Sequence, residues 1–263
     1  MLFRSMNAFF SNNGYRVVDK YDFANEEILF ENAWGVSDGD LYRKAVSEAN
    51  LAYQEGKPFF YNLMTTSNHR PYTFPEGKID IPSGTGGRHG AVKYTDCALE
   101  GFLSLARAQK WFDDTIFILV ADHCASAHGL VGLPPGGYHI PLFIYSPKHV
   151  PAKEVDKVSS QIDIGPTLLS LLGFRYKSYF WGSDILDEHF RERALIGNYQ
   201  KLGLYEDNKL VILSPGKKID LMENPETENR IKTLTPDDPF AQAAISYYQG
   251  ADFVLKHRMN RWR

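Results

Sequence analysis

The chain has 263 residues, 43% hydrophobic and 23% charged, enough for a core in one large domain or a domain with a small appendage, which excludes disordered and fibrous classes. Its 29 Lys and Arg against 32 Asp and Glu leave a net charge of −3, so no charge excess points to nucleic acid or an anionic membrane, and any anion site must be local. Its two cysteines, Cys97 and Cys124, show no disulfide-framework, redox-pair or zinc-finger spacing.

At the start, Leu2, Met6, Phe9 and Phe10 share a helical face interrupted by Arg4, Asn7 and Ser11. This reads as an amphipathic helix stopped by Gly14, not as the apolar region of a signal peptide. No stretch approaches the roughly 20 apolar residues of a spanning helix, so the chain as given reads as soluble. Ser37 predicts an N-cap for a helix over Asp38–Gln54, with Leu41, Ala45, Ala49 and Ala52 inward. The aromatic run 59–64 has the composition of a buried strand and delivers Thr65-Thr-Ser-Asn-His-Arg-Pro-Tyr72 at its end. A loop rich in Gly and Pro leads to a second helix over 91–110, with Val92, Thr95, Leu99, Phe102, Leu103 and Ala106 on one face.

The run 115–121 is the clearest apolar strand and passes directly into Asp122-His123. A further strand over 141–146 ends at Pro147, and a short helix over 165–172 is capped by Gly173. Strand-helix alternation of this kind predicts an α/β fold, a mostly parallel sheet with helices on both faces. Beyond residue 175 the texture changes to short strands at 194–199, 203–205, 209–213 and 218–222, with Glu206-Asp-Asn208 as a hairpin turn. These predict a small antiparallel sheet, followed by a helix from Thr235-Pro236 to Lys256-His-Arg258. The expected division is 1–175 for a catalytic core and 176–263 for a C-terminal α+β subdomain.

Ligands in open α/β sheets bind beyond the carboxyl ends of strands, which singles out Asp122 and His123. An adjacent carboxylate and imidazole can share one divalent ion if the strand turns sharply after them; a loop cap beside a surface histidine is the plain alternative. His69 holds the same position after another strand, where an Asx or Ser turn is the plain alternative. His139 precedes its strand, so it approaches from the opposite direction unless the glycine-rich loop 129–137 folds back. Trp34 beside Gly35 could stack on a polyol or sugar, or be simply buried. His89 and His128 read as solvent-exposed, His149, His189 and His257 have no constellation, and Cys124 reads as a small buried residue. There is no G-x-S-x-G elbow, Walker loop or dinucleotide fingerprint.

Taken in order, Asn32-Ala-Trp-Gly-Val-Ser-Asp38, Thr65-Thr-Ser-Asn-His-Arg-Pro-Tyr72, Lys93-Tyr-Thr-Asp-Cys-Ala-Leu99, Phe112-Asp-Asp-Thr-Ile-Phe117 running into Val120-Ala-Asp-His123, Ile140-Pro-Leu-Phe-Ile144 and Gln161-Ile-Asp-Ile-Gly-Pro-Thr167 form a series. With these motifs the chain resembles the extracytoplasmic catalytic domain of the lipoteichoic acid synthase and phosphoglycerol transferase family, within the sulfatase and alkaline phosphatase superfamily. The resemblance implies a fold of that superfamily, incomplete at the N-terminus. It implies a divalent metal, Mn first with Zn, Mg or Ca as alternatives, held in part by Asp122 and His123. It further implies that His69 is catalytic and touches the transferred phosphoglycerol, and that Trp34 and His139 contact substrate. The family's threonine nucleophile and metal-binding glutamate fall before the part matched here, and Thr65 and Thr66 carry no mark of activation.

The expected partner is a phospholipid headgroup or a phosphoglycerol-bearing glycan, with no nucleic acid. The expected location is the cytoplasmic membrane with the catalytic domain outside, or the cytoplasm if the chain is made as given. Two functions follow from this: part of a metal-dependent phosphoglycerol transferase or hydrolase, inactive alone, or a non-catalytic module that binds a phosphorylated glycan or headgroup or pairs with a separate chain.

Overall fold

The computed structural model describes residues 2–125, 132–227 and 230–259. They fall into two units, Met1–Ile116 with Ser146–Val150, and Phe117–Tyr145 with Pro151–Arg263.

In the first unit, helix α1 (Leu2–Asn12) is followed by Gly14 at φ 85°, the left-handed position that its sequence foretells. A small antiparallel hairpin, β1 (Glu31–Asn32) and β2 (Gly35–Val36), leads into α2 (Asp38–Gln54). Ser37 caps α2 as expected, its side chain accepting from the Asp40 N–H. Helix α3 (Gly87–Arg107) packs on α2, with Tyr42 stacked on Phe102 at 4.7 Å and Phe74 stacked on Tyr94 at 5.1 Å. Its buried face is Gly90, Ala91, Tyr94 and Ala106, while Val92 of the expected face is exposed. Gly90 explains the rotation: a Cβ there would come within 3.3 Å of the Phe74 ring and 3.1 Å of Ile81, so only glycine admits these neighbours unchanged.

The expected strand over 59–64 is the first correction. The segment is extended but belongs to no strand pair among the described residues. Phe60, Tyr61 and Met64 are exposed, and Phe59 instead packs edge-on against Trp111 at 5.6 Å. Composition supplies the apolar side chains of a strand, but a strand also needs a neighbour to take its N–H and C=O groups.

The second unit contains β3 (Phe117–Val120), β4 (Leu142–Tyr145), α4 (Ile164–Leu171), five strands β5 (Ala194–Gly197), β6 (Leu202–Glu206), β7 (Lys209–Ser214), β8 (Lys218–Glu223) and β9 (Ile231–Thr233), and helix α5 (Pro239–Lys256). The five strands pair in chain order as one antiparallel sheet. Asp207 and Asn208 at φ 49° and 56° make the tight turn between β6 and β7 that their residue types predict. Alternation sorts this sheet's core: Leu204, Val211, Ile219 and Leu221 pack with Ala241 and Ala244 of α5, while Ile196, Leu210 and Ile212 pack with Leu133. On α5, Asp238 caps the helix by accepting from the Phe240 N–H and Pro239 takes the first position, so the start lies later than Thr235-Pro236 by the same cap-then-proline logic.

All strand pairs among the described residues are antiparallel, including β3 with β4, where the alternation predicts parallel neighbours. A parallel pair needs a crossover, usually a helix. Antiparallel neighbours need none, and the 3-10 turn Pro135–Tyr138 lies on the described part of the connection between β3 and β4.

Candidate functional site

Each unit carries one group of the residues singled out from sequence. In the first, the loop after the extended run 59–64 is held by one buried carboxylate. Asp38 begins α2 with no exposed surface, and its Oδ1 accepts from the N–H groups of Thr66 and Ser67, both at 2.9 Å. Its Oδ2 accepts from the Thr95 hydroxyl at 2.9 Å, and Thr95 in turn accepts from the Asn68 amide at 3.2 Å. The buried Ser67 returns the contact by accepting from the Asp38 N–H at 3.3 Å. A loop two residues from His69 is thereby tied to the first turn of α2 and to the third turn of α3.

His69 and Trp34 come together. Their ring centroids are 3.4 Å apart at 39°. The Arg70 carbonyl accepts from Trp34 Nε1 at 2.6 Å and from His69 Nδ1 at 3.0 Å. Because a carbonyl only accepts, Nδ1 carries the proton and Nε2 is the lone-pair nitrogen of the neutral ring. His69 itself is exposed, so that nitrogen is open to a ligand. Thr66 is used structurally, its hydroxyl donating to the Val36 carbonyl at 2.8 Å, which leaves it no role as an activated nucleophile.

In the second unit, Asp122 and His123 follow β3 after Ala121, with side chains 79% and 68% exposed. Asp122 Oδ1 accepts the His123 backbone N–H at 2.9 Å, and Oδ2 lies 3.5 Å from His123 Nε2. His123 Nδ1 donates to the Cys124 carbonyl at 2.9 Å, leaving Nε2 as a lone-pair donor beside the carboxylate. One carboxylate oxygen and one imidazole nitrogen therefore face a common space, a donor pair suited to Mn, Zn or Mg. They fit such an ion as two ligands of a shell of roughly four to six. Among the described residues no group of three or more His, Cys, Asp or Glu gathers to complete one.

The antiparallel pairing changes the reading of His139. Pro141, two residues after His139, accepts through its carbonyl from the Ala121 N–H at 3.4 Å, one residue before Asp122. His139 thus comes to the same end of the β3–β4 ladder as Asp122 without the loop having to fold back. The other histidines stay apart: His149 faces Asp114 at 3.8 Å, His189 faces Glu188 at 3.5 Å, and His257 lies on the Phe253 ring. His89 is exposed, and His128 lies outside the described residues.

Gln161 and Asp163 carry functions that residue types alone did not announce. The Gln161 amide donates to the carbonyls of Ala121 and Asp122, each at 2.9 Å, gripping the backbone that presents the Asp-His pair. Gln161 is aligned by Asp163, fully buried in a two-pronged ion pair with Arg193 at 2.5 and 2.7 Å. Asp163 also accepts from the N–H groups of Ser160 and Ser183 at 2.8 and 2.9 Å. Each group thus stands on a buried aspartate of its own unit. The signal available in sequence was position, Asp38 just after a helix cap and Asp163 within the Gln161–Thr167 motif.

Comparison with known proteins places these features in context. The sulfatase family model matches residues 1–174. Lipoteichoic acid synthase 2 of Bacillus subtilis is 27% identical over 246 residues, 81% of this chain and 36% of that protein. Phosphoglycerol transferase I of Xanthomonas campestris is 23% identical over 193 residues, 70% of this chain and 28% of that protein. The chain thus spans about a third of the length of these relatives. Among solved structures, a protein in the alkaline phosphatase superfamily from Vibrio parahaemolyticus superposes with a TM-score of 0.88 at 35% identity, over 98% of this chain and 64% of that one. The lipoteichoic acid synthase LtaP from Listeria monocytogenes gives 0.74 at 21% identity, over 97% and 67%. The fold is that of the alkaline phosphatase superfamily.

Proposed function

The chain belongs to the sulfatase family, and on that premise we propose that it is part of a phosphoglycerol transferase or hydrolase, which moves a glycerophosphoryl group from a phospholipid headgroup to a glycan or to water. Asp122 and His123 hold one side of a divalent cation, with Mn the first expectation. When bound, such an ion supplies positive charge to the phosphoryl oxygens and lowers the pKa of a coordinated hydroxyl. His69 contacts the phosphoryl group and gives a proton to the departing alcohol as the phosphorus–oxygen ester bond breaks. For that step its Nε2 carries the proton while Nδ1 keeps its bond to the Arg70 carbonyl. Trp34 fixes the His69 ring and lies against the glycerol moiety, and His139 contacts substrate.

The observation that best supports this reading is the Trp34–His69 pair, whose shared Arg70 carbonyl sets the tautomer of an exposed imidazole. The Thr66 hydroxyl is committed to the Val36 carbonyl and Thr65 carries no mark of activation, so the 263 residues alone are expected to bind without turning over. With only two such donors gathered at Asp122 and His123 among the described residues, a second reading is a module that binds a phosphorylated headgroup or glycan without catalysis. On the first reading the catalytic domain works outside the cytoplasmic membrane. No helix among the described residues is long and apolar enough to cross one.

Manganese binding, followed by electron paramagnetic resonance alongside hydrolysis of a fluorescent phosphatidylglycerol, tests the proposal. We expect weak Mn affinity that Asp122→Ala and His123→Ala each abolish, and no turnover. Mn affinity untouched by both substitutions would remove the metal assignment. Mn-dependent turnover lost in Asp122→Ala would show that the chain is itself a complete enzyme.

A further inference from the structure

Tyr72, whose backbone bonds to that of His69, has two arginines near it in the chain or in space that no carboxylate neutralises among the described residues. Arg88 lies over the Tyr72 ring, 5.4 Å from its centroid, and its Nη2 donates to the Tyr72 hydroxyl at 2.9 Å. Arg70 lies two residues before Tyr72 in the chain, and its influence, with that of Arg88, holds the Tyr72 pKa below the ordinary tyrosine value against the opposing effect of burial. Neither arginine forms an ion pair among the described residues. The carboxylates of this stretch are engaged elsewhere: Asp80 pairs with Lys93, and Glu76 accepts from the Ser83 N–H at 3.2 Å.

A purely structural role explains this cluster poorly. Arg88 and Arg70 are exposed, where a cation over a ring and a bond to a phenol stabilise little. Arg88 also sits in the first turn of α3, which holds no acidic residue, and the helix dipole disfavours a cation there. Tyr72 occupies the left-handed region at φ 64°, uncommon for a side chain of its size, and is fixed there by its N–H donating to the His69 carbonyl at 2.7 Å. That turn keeps Tyr72 against the residue whose imidazole the proposed reaction uses.

We propose that Arg70, Tyr72 and Arg88 form a subsite for an esterified phosphate, adjacent to His69 and Trp34. The two guanidinium forks match the tetrahedral oxyanion, and the phenol supplies a neutral donor between them. The subsite deepens the reading given above and rests on His69 being a substrate contact. It adds a second place where a phosphodiester chain or headgroup is held, independent of any metal.

Calorimetric titration of the 263-residue chain without metal tests this, using sn-glycerol 3-phosphate, glycerophosphoglycerol and inorganic phosphate at two salt concentrations. Circular dichroism confirms the fold of each variant. Arg88→Gln is expected to weaken the phosphate esters about tenfold, as loss of a charged hydrogen bond does. Arg70→Gln with Arg88→Gln is expected to abolish saturable binding, and added salt to weaken the unaltered chain more than Arg88→Gln. Wild-type affinity in the double variant, or no saturable binding by the unaltered chain, overturns the subsite. If His69→Ala alone weakens binding while the arginine variants do not, the subsite falls and the reading of His69 stands. If the arginine variants weaken it while His69→Ala does not, the subsite stands and the His69 reading falls. Inorganic phosphate binding as tightly as the esters overturns the assignment to an esterified group.

Discussion

Asp38 shows how much one carboxylate can decide. It accepts three hydrogen bonds in a site with no solvent contact, two from loop N–H groups and one from a helix hydroxyl. Removing it leaves buried donors without partners, which costs more than the bonds themselves contribute when both sides are present. Asp38→Ala is expected to lower unfolding stability by about 3 kcal/mol in urea titration, the sum of the unpaired donors less what water recovers. Asp38→Asn is expected to cost about 1 kcal/mol, because its amide oxygen keeps the Thr66 and Ser67 bonds and the Thr95 hydroxyl can rotate to accept from the amide nitrogen. An Asp38→Ala midpoint equal to that of the unaltered chain would mean the loop does not depend on this residue. His69 is the more legible residue and Asp38 the less. Chemistry marks a histidine at a strand end, whereas an aspartate in a helix's first turn looks like an ordinary dipole partner until its burial is known.

Elements were legible in proportion to how local their causes are. Helix α2 follows from Ser37 and its apolar spacing, and the β6–β7 hairpin from Asp207-Asn208, because caps and turns are decided by neighbours in sequence. Strand partners are decided by residues far away in the chain. That is why β3 and β4 were located while their antiparallel pairing, and with it the position of His139, was not. The run 59–64 is the extreme case, a strand in composition without a partner among the described residues. β9 is the reverse: Ile231–Thr233 is exposed throughout and has no alternation to announce it, yet β8 pairs with it. Hydrogen exchange read by mass spectrometry separates composition from pairing. Amides of 59–64 are expected to exchange within seconds to minutes, while those of β7, bonded on both sides by β6 and β8, persist for hours at neutral pH. Equal protection of the two segments would show that 59–64 is paired after all.

For the whole chain, the family match and the packing divide the residues differently. The match ends at residue 174, and a boundary near 175 is also where sequence texture changes. Yet Asp163, which lies before that boundary and aligns the Gln161 grip on Asp122, has Arg193 as its charge partner beyond it. Arg193 further donates its Nε–H to the Tyr247 hydroxyl at 3.2 Å, and its backbone N–H to the Val158 carbonyl at 3.1 Å. Both partners of the ion pair are nearly or fully buried, at 2% and 0% exposure, so neither can turn to water when the other is removed. Breaking such a pair from one side strands a buried charge and costs roughly 3–5 kcal/mol, whereas replacing both with apolar groups of similar volume is often close to neutral. Arg193→Ala is therefore expected to lower stability by roughly 3–5 kcal/mol, and Arg193→Met with Asp163→Leu to recover most of the loss as long as the Ser160 and Ser183 amides find water. A chain cut after residue 175 is expected to lack a cooperative urea transition and to lose the Mn binding followed by electron paramagnetic resonance at Asp122 and His123, since the cut removes Arg193 and leaves Gln161 on an unanchored turn. A sharp transition in the cut chain would establish residues 1–175 as an independent folding unit and confine the Asp163–Arg193 pair to a local role.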